Sequence, residues 1–358
     1  MSSLARAYEY VTTPSVSRSE ARLATEIETT LRTAPHLRVD RVGDNVVAAT
    51  RGAAGLRVLV AGHLDTVPGD LARVHWDREE LTGLGAVDMK GSLAVMVDLA
   101  LAPPPPGVEL TWVFYAREEV SRAESGLLEI AALRPDLLQA DVAVVGEPTG
   151  GVVEAGCQGS LRVRITTRGV AAHTARPYRG RNAIHRLGAV VERIAGYVPR
   201  RVTLDGVTFV EQLQVVHIAG GIASNVVPDE AWCVVNHRFA PDRDIASASE
   251  WLREFVADVL DERDELVVED TAPAASPRLD DPRLADLVAM SGQPVRAKVG
   301  WTDVATLNEL GIASTNFGAG DPELAHHRDE RISRAEIEAY ADVLGRWLAS
   351  VGSTSPHR

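Results

Sequence analysis

The segment Leu56-Arg-Val-Leu-Val-Ala-Gly-His63-Leu-Asp65-Thr-Val-Pro68 decides the expected fold. Its first half is a short apolar run rich in Val and Leu, which predicts a strand buried on both faces. His63 and Asp65 follow where this strand ends, and in open α/β sheets ligands bind beyond the carboxyl ends of the strands. There His63 could offer one imidazole nitrogen to a metal while Asp65 orients the ring through the other nitrogen. A surface turn that merely contains both residues is the alternative, and this segment alone does not decide between them.

Length and composition exclude several classes of protein. The chain has 358 residues, of which 45% are hydrophobic and 24% charged, which is enough for two globular domains. A net charge of −13 argues against nucleic acid as the main partner. No apolar stretch approaches the ~20 residues of a membrane helix, and the N-terminus lacks the pattern of a signal peptide. Cys157 and Cys233 have no metal or redox spacing and are expected to be buried thiols, so we expect a cytoplasmic protein without a membrane partner.

Strands and helices alternate in the first part of the chain. We predict one amphipathic helix over 1–35 that is interrupted by a turn at 12–15, with Ser17 or Ser19 as the cap of its second part, 20–31. Further helices are predicted over 92–102 and 125–133, and strands over 38–50, 56–61, 108–116 and 142–145. Polar residues follow several of these strands directly. This order predicts an α/β fold with a mostly parallel sheet covered by helices.

The pattern changes after Ser160, where apolar and polar residues alternate as in a strand with one wet face. Predicted strands over 161–167, 212–218, 231–239 and 266–269 and helices over 182–196 and 244–260 give the order βαββαβ, which is typical of a ferredoxin-like α+β domain. Beyond a Pro/Ala-rich linker at 271–277 the first pattern resumes. We therefore expect one α/β domain, 1–159 plus 275–358, with a smaller domain, 160–274, inserted into it.

Histidines and carboxylates accumulate at the predicted strand ends. They are His63, Asp65, Glu118, Glu119 and Glu147, joined by Asp88 in a glycine-spaced loop and by His326 and His327 near the C-terminus. So many carboxylates on one rim would repel unless a cation neutralised them. Imidazole and carboxylate without thiolate suit zinc or another late first-row metal, and this set is large enough to hold two ions. One carboxylate would have to stay unliganded to accept a proton from the attacking water. If strand geometry persists at 118–119, adjacent side chains point apart and only one of them can bind metal.

These motifs resemble those of the dinuclear zinc amidohydrolases. The resemblance rests on Gly62-His63-Leu-Asp65-Thr-Val-Pro, Gly85-Ala-Val-Asp88-Met-Lys-Gly, Glu118-Glu119 and Gly146-Glu147-Pro-Thr, and it covers essentially the whole chain. It implies two zinc ions per subunit, for which cobalt could substitute. His63 and Glu147 would bind one ion, Glu119 and His326 the other, with Asp88 as the bridge, Glu118 as general base and Asp65 orienting His63. His326 is preferred because the family's histidine stands four residues before a glutamate, here Glu330, and His327 remains the alternative. The family also implies a cis peptide bond between Asp88 and Met89.

The inserted domain carries further matches to this family. Gly169-Val-Ala-Ala-His173-Thr-Ala-Arg176-Pro is similar to the motif of a histidine that helps to polarise the substrate carbonyl. Asn225 and Arg238 stand where relatives contact the substrate carboxylate, and Arg176 is a third candidate contact. An arginine suits this role because its fork matches a carboxylate bidentately, although Arg238 could also be a strand residue that faces water. Relatives form homodimers through this domain, which implies that His173 acts on the partner subunit's site.

The resemblance also narrows the substrate to a small N-acyl amino acid. Asn225-Val-Val-Pro, Asn236-His-Arg238-Phe and Trp301-Thr-Asp303 look closest to the succinyl-diaminopimelate desuccinylases of actinobacteria. Gly156-Cys-Gln-Gly-Ser160 stands where proteobacterial desuccinylases have Gly-Arg-Arg-Gly-Ser, so an anchor for the succinyl carboxylate is missing. Deacetylation of acetylornithine or hydrolysis of another N-acyl amino acid is therefore the alternative. A catalytically dead, amino-acid-binding relative is a remote one, because every expected site position is filled.

Overall fold

The computed structural model describes residues 1–51, 55–70 and 72–352, which form two compact units. The first unit comprises 1–156, 277–298 and 302–358, and the inserted unit comprises 157–276 and 299–301. The inserted unit thus begins three residues before the predicted boundary, because Cys157 and Ala275 exchange two backbone hydrogen bonds of 3.1 and 3.0 Å. These bonds tie the two ends of the insertion together.

The helices and strands are numbered in chain order. The helices are α1 Ser3–Thr12, α2 Ala21–Leu31, α3 Gly91–Leu101, α4 Gly126–Leu133, α5 Ala183–Ala195, α6 Ile245–Val256, α7 Pro282–Ser291, α8 Val304–Glu309 and α9 Arg334–Val351. The strands are β1 Leu37–Val42, β2 Asn45–Thr50, β3 Leu56–His63, β4 His75–Trp76, β5 Glu80–Thr82, β6 Val108–Tyr115, β7 Val142–Val145, β8 Glu154–Ala155, β9 Gly159–Arg168, β10 Ala172–His173, β11 Arg201–Leu204, β12 Val207–Val210, β13 Gln212–Gly220, β14 Val226–Val227, β15 Glu230–Phe239, β16 Glu265–Ala272, β17 Arg296–Ala297, β18 Ala313–Asn316 and β19 Arg331–Ser333.

The first unit is built on one sheet with the strand order β1-β2-β6-β3-β7-β18-β8-β17. Its centre, from β6 to β18, is parallel, and β3 is buried on both faces as its apolar sequence predicts. The register pairs His63 with Tyr115 and Ala61 with Val145, so β3, β6 and β7 end at the same edge of the sheet. The polar residues that follow these three strands are thereby brought to one rim.

Two local predictions in the first unit were incomplete or wrong. The segment 38–50 is a hairpin of β1 and β2, turned at Gly43, whose φ of +57° favours glycine. Neither Ser17 nor Ser19 caps α2; the N-cap is Glu20, which makes no side-chain cap bond. The hydroxyl of Ser17 instead donates to Asp65 at 2.7 Å, because a tertiary carboxylate competes with the helix end for it.

Helix α3 is buried along most of its length. Its side chains from Leu93 to Val97 are all buried, so it packs as a core helix rather than as an amphipathic surface helix. Across the part of the chain that the structure describes, no helix is long and apolar enough to cross a membrane.

The inserted unit has the predicted ferredoxin-like topology. Its antiparallel sheet has the order β13-β15-β9-β16, which places the first and third main strands at the centre. Helices α5 and α6 contribute Leu187, Val190 and Leu252 to the same core as Val163 and Val235. The hairpin β11–β12 was not predicted, since its four-residue strands are too short to show a clear period. The α/β fold class with an inserted α+β domain is confirmed.

Candidate metal centre

His63 and Asp88 form a buried pair in the cluster at the sheet rim. His63 Nε2 lies 2.9 Å from Asp88 Oδ1, and His63 Nδ1 lies 3.0 Å from the carbonyl oxygen of Asp65. We assign the ring proton to Nδ1, because only a donor there satisfies the carbonyl. Nε2 then turns its lone pair toward an acceptor. Two acceptors at this distance repel each other unless a proton or a metal ion lies between them.

His326 and Glu119 form the other side of the cluster. His326 Nε2 lies 2.7 Å from Glu119 Oε1 and 3.3 Å from Asp88 Oδ2. The two oxygens of Asp88 therefore face two different histidines, as a bridging carboxylate would. Among the described residues, the alternative ligand His327 makes no ion pair with a carboxylate, and its Nδ1 accepts a long bond of 3.5 Å from the Asp329 amide.

Glu147 completes the cluster from the end of β7. Its Oε1 is 3.8 Å from His63 Nε2, and this buried oxygen accepts no hydrogen bond among the described residues. Burial and the neighbouring Asp88 charge raise the pKa of Glu147 to about 7. A buried carboxylate oxygen without a donor is the environment that a bound cation relieves.

Asp65 contacts Glu118 through its own side chain and the backbone amide of Glu118. The carboxylate of Asp65 accepts the amide hydrogens of Glu118 and Glu119, each at 3.0 Å, while its Oδ1 stays 3.6 Å from His63 Nδ1. Burial and the nearby Glu147 raise the pKa of Glu118 well above its usual range. Strand alternation does not separate Glu118 from Glu119, since β6 ends at Tyr115 and Arg117 adopts a φ of +62°.

The loop that carries Asp88 has the cis peptide bond expected between Asp88 and Met89. Burial alone would raise the pKa of Asp88, but hydrogen bonds from His326 and His63 outweigh it and hold the pKa well below its usual range. The contacts of His326 with Asp88 and Glu119 raise its pKa to about 10. Ionised Asp88 between two protonated histidines is the state of these side chains when protons take the place of a metal.

The donor set fits two divalent ions. One ligand atom each from His63, Asp88 and Glu119 lies within 4.8 Å of the others. In the described part of the chain, the ion pairs of Asp88, Glu119 and Glu147 are made with histidines, not with arginine or lysine. Three carboxylates and two imidazoles match the preferences of zinc and neighbouring metals. The residues present therefore fit the metals that the resemblance implies.

The candidate substrate residues of the inserted unit lie at two places. His173 and Asn225 are neighbours, since β10 pairs with β14 and the Thr174 amide donates to the Asn225 carbonyl at 3.1 Å. Arg176 belongs to the same turn, because its amide donates to the carbonyl of His173 at 2.8 Å. Arg238 is near the far end of β15, eight residues beyond Glu230, so roughly 26 Å of strand separates it from that turn. The structure does not bring all four together in one chain.

Three residues that support the cluster were not predicted in this role. Ser17 donates to Asp65, and Lys298 donates to the Pro148 carbonyl at 3.2 Å, directly after Glu147. The carboxylate of Glu330 accepts three backbone N–H groups from the loop of Asp88. Their signal in the sequence is weak, because such contacts join segments that are distant along the chain. Only Glu330 could have been suspected, from its fixed spacing to His326.

Comparison with known proteins adds independent support. The model of peptidase family M20/M25/M40 matches residues 59–350. The chain is 48% identical over 339 residues to a putative succinyl-diaminopimelate desuccinylase of Mycobacterium tuberculosis, covering 94% of both chains. It is 42% identical over 346 residues to the succinyl-diaminopimelate desuccinylase of Corynebacterium glutamicum, covering 94% of this chain and 93% of the relative.

Solved structures show the same fold at low sequence identity. Aminopeptidase PepT from Bacillus cereus superposes with a TM-score of 0.79 at 17% identity and covers 98% of both chains. The YXEP protein of Bacillus subtilis, described as a dinuclear metal-binding peptidase of the M20 family, has a TM-score of 0.72 at 14% identity and covers 99% of this chain and 98% of its own.

Proposed function

Because the chain belongs to peptidase family M20/M25/M40, we propose that it is a succinyl-diaminopimelate desuccinylase, which hydrolyses N-succinyl-LL-2,6-diaminopimelate to succinate and LL-2,6-diaminopimelate. Its membership makes it a metal-dependent amidohydrolase. The observation that carries the substrate assignment is the 48% identity over nearly the full length of both chains, together with a complete set of histidines and carboxylates at the sheet rim.

We assign the cofactor as two zinc ions per subunit. His63 and Glu147 would hold one ion, His326 and Glu119 the other, and Asp88 would contribute one oxygen to each, in keeping with its two histidine contacts. Such ions, when bound, polarise an amide carbonyl and lower the pKa of water toward about 7. The donors would accept cobalt as well, since it prefers the same imidazole and carboxylate ligands.

Glu118 is assigned as the residue that moves the proton. It accepts a proton from the attacking water and returns it to the amine nitrogen as the C–N bond breaks. Its raised pKa suits a group that must hold the proton between these two steps. Asp65 positions Glu118 by holding its backbone amide, so the carboxylate needs no rearrangement of the main chain.

We assign His173 and Asn225 to the substrate carbonyl and carboxylate, with Arg176 beside them, and Arg238 to a carboxylate at the other end of the substrate. Within one chain the length of β15 keeps Arg238 far from His173, and a substrate of amino-acid size cannot reach both. A homodimer formed through the inserted unit resolves this, because each site can take Arg238 from one subunit and His173 from the other. We place the enzyme in the cytoplasm, where its two buried cysteines would stay reduced.

The test is succinate release from N-succinyl-LL-2,6-diaminopimelate by the purified protein. Protein stripped with a chelator should be inactive and should regain activity when two equivalents of zinc are added. The desuccinylase assignment would be overturned by zinc-loaded, folded protein that releases no succinate. Calcium serves as the control ion, because it prefers six to eight oxygen ligands and suits an imidazole-containing site poorly.

A further inference from the structure

We propose that Glu330 is a positioning residue that sets the bridging carboxylate of Asp88 and couples the two chain segments that supply opposite sides of the metal centre. This inference rests on the proposed two-metal centre and adds to it a residue that would not itself bind metal.

The carboxylate of Glu330 is fully engaged by the loop that carries Asp88. Its Oε1 accepts the amides of Val87 at 2.8 Å and Asp88 at 2.9 Å, and its Oε2 accepts the amide of Gly85 at 3.0 Å. The side chain is only 1% exposed. Three amide donors converging on one buried anion form a rigid cradle, because each donor would be costly to leave unpaired.

The same residue belongs to the segment of His326. Glu330 follows His326 by four residues, and its own carbonyl accepts the Gly83 amide at 2.9 Å. Directly after it, β19 pairs with β5, so the attachment continues as a short antiparallel ladder. Glu330 therefore fastens a segment near residue 88 to a segment near residue 326, and each of these carries a residue assigned to the metals.

A carboxylate accepts these three backbone N–H groups better than a side-chain amide of the same shape. Two anionic oxygens can accept three N–H groups, whereas glutamine has one acceptor oxygen and an NH2 group that would face a backbone donor. A shift of the Asp88 backbone changes both contacts of its carboxylate, 2.9 Å to His63 and 3.3 Å to His326. We therefore expect loss of the cradle to disturb both metal positions together.

The test uses the full chain reconstituted with cobalt, whose visible absorption reports ligand geometry without turnover. Glu330→Gln should change the cobalt spectrum and weaken cobalt binding about 10- to 100-fold, the usual effect of removing a group that orients a ligand. The matched control is Glu211→Gln, which removes a buried carboxylate that accepts the Ala240 amide in the inserted unit. It should leave the spectrum and the cobalt affinity unchanged.

An unchanged spectrum and affinity in folded Glu330→Gln would overturn the inference. If that variant does not fold, Glu330→Asp tests the inference instead, because it keeps both carboxylate oxygens but draws them back by one methylene. Glu330→Asp should alter the cobalt spectrum. A wild-type cobalt spectrum would reject the positioning role. Wild-type protein that binds no cobalt would overturn the proposed centre itself, and the inference with it. The two failures are thus told apart by the wild-type titration.

Discussion

The carboxylate of Asp65 holds the backbone amide of Glu118 at 3.0 Å and, through its other oxygen, the next amide along the chain at the same distance. Asp65 is fully buried. This link joins the end of β3, which carries His63, to the turn after β6, which carries the proposed base. The carboxylate thus fixes the turn that carries Glu118, so its effect on catalysis should exceed that of a residue that only contacts a histidine.

We expect Asp65→Asn to lower kcat/KM about 10- to 100-fold, because asparagine can accept only one of the two amides and its NH2 group faces the other. The measurement is steady-state kinetics on the zinc-loaded variant. Ser17→Ala, which removes one hydroxyl donor from the same carboxylate, is the matched control and should have a smaller effect. Equal losses in the two variants would contradict the double-amide role.

Substitutions of Glu118 and Glu119 should have different effects, one on catalysis and the other on metal binding. Glu118→Ala should lower kcat by 10²-fold or more and leave metal content unchanged, because it removes only the proton acceptor. Glu119→Ala should lose metal, because it removes the carboxylate that faces His326 at 2.7 Å. Metal content by elemental analysis and kcat are measured on both. Glu124→Ala, at a partly exposed surface ion pair, serves as the control. If Glu118→Ala loses metal and Glu119→Ala keeps it, Glu119 is the base and Glu118 the metal ligand.

Much of this site could be predicted from the sequence, because β3, β6 and β7 are apolar runs and polar residues follow where each one ends. What could not be predicted are contacts that depend on the tertiary fold. Ser17 looked like a helix cap and instead binds Asp65, 48 residues away. The direction of Glu118 and Glu119 was argued from strand alternation, which fails because Arg117 turns the chain. The contacts of Asp65 and Glu330 with backbone amides cannot be recognised from residue types, because every residue other than proline has such an amide.

A mixed dimer tests whether His173 acts on the partner subunit's site. Glu118→Ala and His173→Ala should each be inactive, but co-refolded heterodimers should regain activity, because one of their two sites combines an intact Glu118 with the partner's intact His173. The expected recovery is at most half of the wild-type rate per heterodimer. Glu118→Ala mixed with Glu119→Ala is the control and should stay inactive, since every site then lacks one residue. Verified heterodimers of the first pair without activity would rule out the arrangement.

The inserted unit should lose stability in acid through Glu211. This buried carboxylate binds Arg200 at 2.8 Å and the Ala240 amide at 3.0 Å. Burial alone would raise the pKa of Glu211, but the His237 ring 4.0 Å away and hydrogen bonds from Arg200 and the Ala240 amide hold it well below its usual range. Because the folded-state pKa is depressed, the stabilisation is present above the unfolded value of about 4.3 and is lost as the pH falls below it.

Glu211→Gln should therefore lower the free energy of unfolding by about 1–3 kcal/mol at pH 7, because the Ala240 amide and the partly exposed Arg200 lose an anionic acceptor. The difference from wild type should shrink between pH 5 and the lowest pH at which both proteins still fold. Amide hydrogen exchange of β15 measures this difference in the free energy of unfolding, because this central strand opens only when the inserted unit unfolds. A difference that stays constant or grows as the pH falls would contradict the assignment.

The most direct test of the desuccinylase assignment is the ratio of kcat/KM for N-succinyl-LL-2,6-diaminopimelate to that for N-acetylornithine, both measured with the same zinc-loaded preparation. The two substrates differ in acyl group and in amino acid, and the second represents the alternative activity of the family. We predict a ratio of at least about 10², since Arg238 is assigned to a carboxylate at the far end of the substrate, which N-acetylornithine lacks, and would be left unpaired. A ratio near or below one would contradict the account.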